Sequence, residues 1–357
     1  MNRTAHGLDN FFQFTYEELQ LWGQSNHLSS FTAAQLFKDF YKHALMAPRW
    51  QRISIRAKQL LEQSFSFDLP GPAHVHQASD NTVKFLFTLE DGQSVEAVLI
   101  PFNQKYTLCI SSQVGCAMGC TFCHTGTQGL IRNLRASEIA GQYIRAKQWL
   151  IQHRKNNAGI TNVVFMGQGE PLHNFDEVKR ACHILLARRG ASLAEYKITV
   201  STCGYMPGLV RWQTEMPNVN IALSLHAPDD IRRTQLIPIN RAYPLTEVLR
   251  EMDAIPLGKK RYITFEYLLI DRFNDSDEDA LAIGELLKSS PAIFNIIPFN
   301  PYPGAQYQRP SADRTTRFAA IVSRFGFPVT VRATKGTDIL AACGQLKSIT
   351  THGIEAG

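Results

Sequence analysis

From residue 106 onward, short β-like runs alternate with helical stretches along the chain. The predicted strands are rich in β-branched and aromatic residues and cover 107–111, 162–166, 197–201, 220–225, 263–269, 294–298 and 329–332. The predicted helices between them have apolar residues at helical spacing and cover 137–152, 176–187, 246–254, 276–287 and 312–325. Strands separated by helices pair in parallel through right-handed crossovers. The pattern therefore predicts an α/β fold with an open sheet or a full or partial barrel, and functional groups at the carboxyl ends of its strands.

Two smaller regions precede this alternation. Residues 1–70 are predicted to form a helical accessory domain, because their apolar residues recur along one helical face. Residues 71–104 are predicted to be a β-hairpin connector, since two alternating runs flank an Asp-Gly turn at 91–92. We assign residues 105–357 to the α/β core.

Composition excludes two classes of protein. The chain has 357 residues, of which 44% are hydrophobic and 19% charged, so it has enough apolar surface to form a core and is not disordered. No apolar run approaches the ~20 residues of a membrane-spanning helix, and the first ten residues lack the pattern of a signal peptide. We therefore expect a cytoplasmic protein with no membrane partner. The formal net charge of +6 is compatible with nucleic-acid binding.

The cysteines carry the first chemical signal. Seven cysteines without a secretory signal favour metal binding or thiol chemistry over structural disulfides. Cys116, Cys120 and Cys123 lie in one glycine-bearing loop after the first predicted core strand. Three thiolates with this spacing can ligate three irons of a [4Fe–4S] cluster and leave the fourth iron open. The alternatives are inert core cysteines or a structural zinc site, with Cys109 or His124 as its fourth ligand.

The spacing C-x3-C-x2-C resembles the signature of the radical S-adenosylmethionine (radical SAM) superfamily. Five segments between residues 80 and 350 narrow this resemblance, namely 109–116, 166–174, 224–229, 298–304 and 341–346. In the same order, they are similar to segments of the RlmN/Cfr family of radical SAM RNA adenine methyltransferases. The resemblance implies a partial (β/α) barrel of the radical SAM type, with a methyl-carrying cysteine in a C-terminal loop.

The resemblance also implies two cofactors. Cys116, Cys120 and Cys123 would ligate a [4Fe–4S] cluster, and S-adenosylmethionine would bind its open iron. Positions matched to S-adenosylmethionine binding follow predicted strands and comprise Gly169, Glu170, Ser201, Ser224, Leu225, His226 and Asn300. From the residues alone, Glu170 could equally be an acidic residue that stabilises the start of a helix, and His226 could equally be a histidine with a structural role.

Three further residues match catalytic positions of the family. Cys343 would be methylated and then carry the methyl group to RNA, after a 5′-deoxyadenosyl radical abstracts one of its hydrogens. Cys109 would release the protein–RNA adduct through a transient disulfide with Cys343, and Glu96 would be the general base. From the residues alone, Cys343 would be interpreted as a packing residue. Glu96 would be interpreted as lying either on the solvent-exposed surface of the sheet or in a cavity. Cys182 and Cys203 match no catalytic position, and we predict that both are packing residues.

RNA is the substrate that the resemblance implies, with 23S ribosomal RNA as the first candidate and transfer RNA as the second. Basic residues are clustered at 132–135, 188–189, 232–233, 259–261 and 332–335. Such clusters either lie on solvent-exposed faces of the protein or contact the phosphates of RNA. An adenine in structured RNA must be unstacked to enter a pocket. We also expect a low-potential electron donor such as flavodoxin, and a monomer.

The resulting hypothesis is a radical SAM methyltransferase acting on carbon 2 of adenosine. Pro171 favours carbon 2 over carbon 8, the alternative product in the family. A non-catalytic, zinc-stabilised RNA-binding protein is the alternative from another class. The chain departs from the commonest family residues at His124, Gln168 and Cys203.

Overall fold

The computed structural model describes residues 8–153, 159–216, 218–258 and 262–347. Its strands are β1 Asp9–Asn10, β2 Phe65–Ser66, β3 Gly71–Gln77, β4 Val83–Thr88, β5 Ser94–Phe102, β6 Lys105–Cys109, β7 Gln113–Gly115, β8 Leu130–Asn133, β9 Ile160–Phe165, β10 Ile198–Thr202, β11 Asn220–Ser224, β12 Ile263–Leu269, β13 Ala292–Pro298 and β14 Val329–Val331. Its α-helices are α1 Tyr16–Ser25, α2 Ser30–Phe37, α3 Ile55–Ser64, α4 Ala136–His153, α5 Phe175–Leu186, α6 Met206–Glu215, α7 Asp230–Leu236, α8 Leu245–Asp253, α9 Asp277–Leu287 and α10 Ala312–Ser323.

Ten strands form one sheet in the order β14-β13-β12-β11-β10-β9-β6-β5-β4-β3. The seven strands from β6 to β14 pair in parallel, and α4, α5, α6, α7, α8, α9 and α10 lie in the connections between them. This confirms the α/β class. Among the described residues the two end strands, β14 and β3, do not pair, so the sheet stays open.

All seven predicted core strands are present, and their ends differ from the prediction by at most two residues. The five predicted core helices are present too, whereas α6 and α7 were missed. The first turn of α6 contains Pro207 and Gly208, which suggest a turn in the sequence. Proline is tolerated in the first helical turn, and a Cβ at Gly208 would lie 2.4 Å from the carbonyl oxygen of Leu172. The glycine therefore permits close packing.

The predicted hairpin is β4 and β5, which pair antiparallel. β5 also pairs antiparallel with β6, so the hairpin continues the core sheet. The structure adds β3 as an edge strand, which the sequence did not reveal because every residue of β3 is exposed and no alternation of burial marks it. The division of the chain at residues 70 and 104 stays a prediction.

The helices of the N-terminal region pack on the core. Thr15 and Glu18 form a capping box at the start of α1, and Ser29 caps α2. Their aromatic residues, such as Phe11 and Phe37, belong to the same apolar cluster as Val178 on α5. The Gln13 side chain adds polar contacts by donating to Glu177 at 2.6 Å and accepting from the Ser137 amide at 3.1 Å.

The segment after β14 crosses from one end of the sheet to the other. The amides of Ser79 and Gly336 donate to Asp338 and Asp80 at 2.9 and 3.1 Å, which ties this segment to the β3–β4 turn. Residues 332–347 thus cover the carboxyl ends of the strands. Among the described residues, no helix has the length and apolarity that a membrane span requires.

Candidate active site

The carboxyl ends of the core strands surround a cavity of about 180 Å³. Ten predicted site residues line it: Cys109, Cys116, Cys120, Cys123, Gly169, Glu170, Ser201, Ser224, His226 and Cys343. The other three do not line it, but each adjoins a lining residue: Leu225 and Asn300 are next in the chain to Ser224 and Phe299, and Glu96 accepts the amide that follows Leu346. The structure thus brings together predicted site residues that are up to 234 positions apart in the chain, at the edge of the sheet where we expected functional groups.

The cysteine loop follows β7 and is tightly folded at Gly115. This glycine has φ +73°, and a Cβ there would lie 1.8 Å from the carbonyl oxygen of Gly129. That same oxygen accepts the Cys116 amide at 2.9 Å. The close approach of the two backbone segments turns the loop so that Cys116, Cys120 and Cys123 all line the cavity.

The environment of these thiols is poorly solvated. Burial raises the pKa of Cys116 to about 12, and it also raises the pKa of Cys120 and Cys123. Thiolates here need a positive partner such as a metal centre, which deprotonates thiols on coordination.

The donor set fits an iron–sulfur cluster. Among the described residues, no three His, Cys, Asp or Glu side chains converge closely enough to hold one metal ion. Three separate thiols around one cavity suit the separate corner irons of a [4Fe–4S] cluster. Of the candidate fourth zinc ligands, His124 stacks on Tyr302 with ring centroids 4.5 Å apart, and Cys109 packs among apolar residues.

Glu170 and Gly169 form the turn after β9. The Glu170 carboxylate accepts the amides of Leu172 at 3.1 Å and Cys203 at 2.9 Å. It therefore does cap the short helical turn Pro171–Asn174, as an acid at a helix start should, and it also lines the cavity. Burial raises its pKa, and the hydrogen bonds it accepts oppose this rise.

His226 follows β11 in a left-handed backbone conformation, with φ +60°. Its Nδ1 accepts the Leu268 amide at 3.0 Å, so the ring hydrogen lies on Nε2. Burial lowers the pKa of His226 to about 3, which keeps the ring neutral. Ser201 and Ser224 lie beside it on the cavity lining, whereas the Leu225 side chain is buried in the core.

Cys343 lies on the segment that covers the strand ends, and its side chain is exposed. The Asn300 amide donates to the Cys343 carbonyl at 3.3 Å, and the His124 amide donates to the Gly344 carbonyl at 2.8 Å. The Arg332 guanidinium lies 4.0 Å from the Cys343 sulfur and 3.5 Å from the Glu266 carboxylate. Asn300 and the cysteine loop thus hold the Cys343 loop at the cavity.

Cys109, at the end of β6, lines the same cavity as Cys343. It belongs to a small apolar cluster with Val98, Ala341 and Leu346, two of which flank Cys343 in the chain. Burial raises the pKa of Cys109 to about 12, and the neighbouring Cys343 contributes to the rise.

Glu96 is buried on β5 and lies behind the lining, between the hairpin and the C-terminal segment. Its carboxylate forms an ion pair with Lys84 at 3.0 Å and accepts the Lys347 amide at 2.9 Å. Burial raises its pKa, and the Lys84 charge opposes this. The unusual Gln168 accepts the Glu96 amide at 2.8 Å and so links β5 to the turn after β9.

The comparisons with known proteins agree with this geometry. A family model described as the radical SAM superfamily matches residues 110–282. The dual-specificity RNA methyltransferase RlmN of Syntrophobacter fumaroxidans is 41% identical over 336 residues, covering 93% of this chain and 96% of that protein. The protein of the same name from Pelobacter propionicus is 43% identical over 320 residues, covering 89% of each chain. The chain belongs to the RlmN family.

A solved structure supports the same assignment. The crystal structure of a radical SAM methyltransferase from Sphaerobacter thermophilus superimposes with a TM-score of 0.86 at 36% identity, covering 95% of this chain and 99% of that one. The fold of that methyltransferase therefore extends over nearly the whole of this chain. This chain is accordingly a radical SAM methyltransferase that depends on S-adenosylmethionine.

The other cysteines and the basic clusters of this RlmN-family chain can be compared with the predictions from the sequence. Cys182 and Cys203 both belong to buried apolar clusters, as predicted, and Cys203 also lines the cavity. The basic pair at 232–233 was considered for phosphate contacts, yet Arg233 is fully buried and cannot reach RNA. Arg332, from another basic cluster, lines the cavity instead. The cluster at 259–261 lies outside the described residues.

Proposed function

We propose that this chain methylates carbon 2 of an adenosine in RNA, with 23S ribosomal RNA as the main substrate and transfer RNA as a second one. The observation that carries the proposal is the presence of Cys109 and Cys343 on the same cavity as the three thiols of the C-x3-C-x2-C loop. A simple radical SAM site needs only the loop thiols. The relatives' names, dual-specificity RNA methyltransferase, support RNA as the substrate.

The cofactors would be held by the residues of the cavity. Cys116, Cys120 and Cys123 would ligate the [4Fe–4S] cluster, and Glu170 would face the ammonium group of S-adenosylmethionine. The remaining cofactor contacts would come from Gly169, Ser201, Ser224, His226 and Asn300, with Leu225 supplying backbone alone. When bound, the cluster supplies the electron that cleaves S-adenosylmethionine. A low-potential donor such as flavodoxin would reduce it.

Cys343 would accept the methyl group first. Its sulfur forms a bond to the methyl carbon, the bond from that carbon to the sulfonium breaks, and the thiol proton leaves to solvent. The Arg332 guanidinium lies 4.0 Å from this sulfur, at the side of the cavity where the methyl group would be received. The exposed side chain allows the methylated sulfur to meet an unstacked adenine at the cavity.

Glu96 and Cys109 would complete the transfer. The methyl carbon on the Cys343 sulfur, after losing one hydrogen atom to the 5′-deoxyadenosyl radical, would form a bond to carbon 2 of adenine. The radical adduct would give up one electron to the oxidised cluster, and the Glu96 carboxylate would take the proton from carbon 2. The raised pKa of Glu96 suits a general base. The Cys109 sulfur would then attack the Cys343 sulfur, forming a disulfide and breaking the bond from that sulfur to the transferred carbon. The released carbon takes a proton and becomes the methyl group on the product.

The test is mass mapping of RNA after anaerobic incubation of the iron-loaded protein with S-adenosylmethionine and a low-potential reductant. We expect 2-methyladenosine, and about four irons per chain. The product 8-methyladenosine would overturn the carbon 2 assignment, which Pro171 supports. Unmodified RNA with one zinc per chain would overturn the enzymatic proposal. The monomeric state is tested on the same sample by its mass in solution.

A further inference from the structure

Arg233 on α7 is a fully buried arginine directly behind the cavity. Its Nε donates to the Leu225 carbonyl at 3.1 Å, and its Nη1 donates to the Asn240 amide oxygen at 2.5 Å. Its Nη2 donates to the carbonyls of Cys203 and Ser224 at 2.8 and 2.9 Å. All four acceptors are neutral, so the hydrogen bonds satisfy the donors without neutralising the charge.

The neighbouring Arg232 shows the more usual arrangement. It is partly exposed, and the carboxylates of Asp229 and Asp279 pair with its guanidinium. Among the described residues, by contrast, Arg233 has no carboxylate within ion-pair distance. A buried charge is costly unless an opposite charge lies near it. The Asp230 carboxylate accepts from the Asn240 amide at 2.7 Å and so lies one side chain away from Arg233. The described part of the fold therefore buries a cation at Arg233 without a direct ion pair, which requires an explanation.

The cysteine loop lies against the end of the same helix. The Thr121 amide donates to the Leu236 carbonyl at 3.0 Å, and the Thr121 hydroxyl donates to the Gln235 carbonyl at 3.0 Å. Leu236 and Cys203 share an apolar cluster against which Cys116 and Cys120 pack. Arg233 donates to the carbonyl of this same Cys203, so its guanidinium lies one residue away from the thiols of the loop.

We propose that Arg233 is the built-in counter-charge of the iron–sulfur cluster and makes its one-electron reduction easier. This role rests on the proposed cluster at Cys116, Cys120 and Cys123. Three thiolates give the cluster a net negative charge, which increases by one when it accepts an electron from the low-potential donor. Net charge is a main determinant of cluster potentials, and a fixed cation stabilises the more negative state.

Direct contact with substrate or cofactor does not explain Arg233. Four of its five N–H groups are engaged by the protein, and none of its surface is exposed to solvent. It is absent from the lining of the cavity, whereas Arg332 is part of it. Arg233 therefore acts through the field it imposes, while its hydrogen bonds fix the ends of β10 and β11.

The experiment compares three variants of the anaerobically purified, iron-loaded protein with the wild type. Arg233→Gln removes the charge, Arg233→Lys keeps it, and Arg232→Gln removes the neighbouring charge that carboxylates already neutralise. Iron per chain is measured, and the cluster is titrated with dithionite against viologen mediators while electron paramagnetic resonance follows the reduced state.

We expect Arg233→Gln to reduce the equilibrium constant for cluster reduction at least tenfold, which is about 59 mV for a one-electron couple. Arg233→Lys should stay within about threefold of the wild type, and Arg232→Gln should match it. If Arg233→Gln loses iron whereas Arg233→Lys keeps it, the result also supports the proposal, because retention of the cluster then depends on the charge at this position.

Two results would overturn it. One is an iron-loaded Arg233→Gln variant with the wild-type potential. The other is equal loss of iron or of folded protein in Arg233→Gln and Arg233→Lys, since the hydrogen bonds and not the charge would then matter. The wild type is assayed in parallel for iron and 2-methyladenosine. A wild type that holds the cluster but leaves RNA unmodified contradicts the proposed function, whereas the potentials of the Arg233 variants still decide whether the charge acts on the cluster.

Discussion

Replacing Gly115 with alanine tests how the cysteine loop is built. Gly115 and Gly119 flank Cys116 and have similar left-handed backbones, with φ +73° and +64°. A Cβ at Gly119 would meet no heavy atom within 4 Å, whereas one at Gly115 would lie 1.8 Å from the Gly129 oxygen. Gly119→Ala is therefore a matched control that has the backbone strain without the collision.

The expected cost follows from these contacts. An alanine in the left-handed region costs about 1–2 kcal/mol at either position. At Gly115, the Gly129 carbonyl must also move by more than an ångström, which breaks its hydrogen bond to the Cys116 amide. Leaving a poorly solvated amide unpaired costs about 1–3 kcal/mol more. This additional free-energy cost distorts the loop that would bind the cluster. It corresponds to cluster binding that is roughly 5- to 150-fold weaker in Gly115→Ala than in Gly119→Ala.

The assay measures iron per chain after anaerobic reconstitution at limiting iron, with circular dichroism as a check on folding. We expect Gly119→Ala to retain most of its iron and Gly115→Ala to lose most of it, although both remain folded. Equal iron content and equal activity in the two variants would refute the reasoning, since the approach of Gly115 to Gly129 would then be irrelevant to the cluster.

Three further predictions concern the thiols and the base. Cys343→Ala should abolish methyl transfer to RNA and retain about four irons per chain, as measured by RNA mass mapping and iron analysis; retained transfer would exclude a methyl-carrying role. Cys109→Ala should accumulate a covalent protein–RNA adduct, visible on denaturing gels, and normal turnover would contradict its resolving role. Glu96 must be ionised to act as a base, and burial raises its pKa, so activity should fall on acidification at a higher pH than an exposed glutamate would require. Glu96→Gln should remove this acidic limb of the pH profile, and an unchanged profile would exclude Glu96 as the base.

The C-terminal segment connects several of these groups. The Lys347 amide and the Lys84 ammonium both engage the Glu96 carboxylate, and Lys84 also donates to the Leu340 carbonyl at 3.4 Å. The segment that carries Cys343 is therefore bonded to the proposed base as well as to Asn300 and the cysteine loop.

Local patterns in the chain were sufficient to predict much of the molecule. Alternating strands and helices revealed the parallel sheet. A strand buried on both faces leaves a short continuous apolar run, and a helix buried on one face leaves apolar residues at helical spacing. The three loop cysteines were recognisable because a cluster imposes their spacing on adjacent residues. The motifs that resemble the RlmN/Cfr family then indicated Glu96, Cys109 and Cys343, which no local pattern distinguishes from packing residues.

Other features exist only once the chain is folded. Arg232 and Arg233 are identical neighbours in the sequence, yet the first is paired with carboxylates at the surface and the second is buried and hydrogen-bonded to neutral groups. The reason is that successive residues of a helix face different directions. Cys203 lines the cavity because β10 ends beside it. The residues of β3 form a strand because they pair with the edge of β4. Tertiary contacts decide such outcomes, as between Arg232 and Asp279, which lie 47 positions apart, and no local spacing records them.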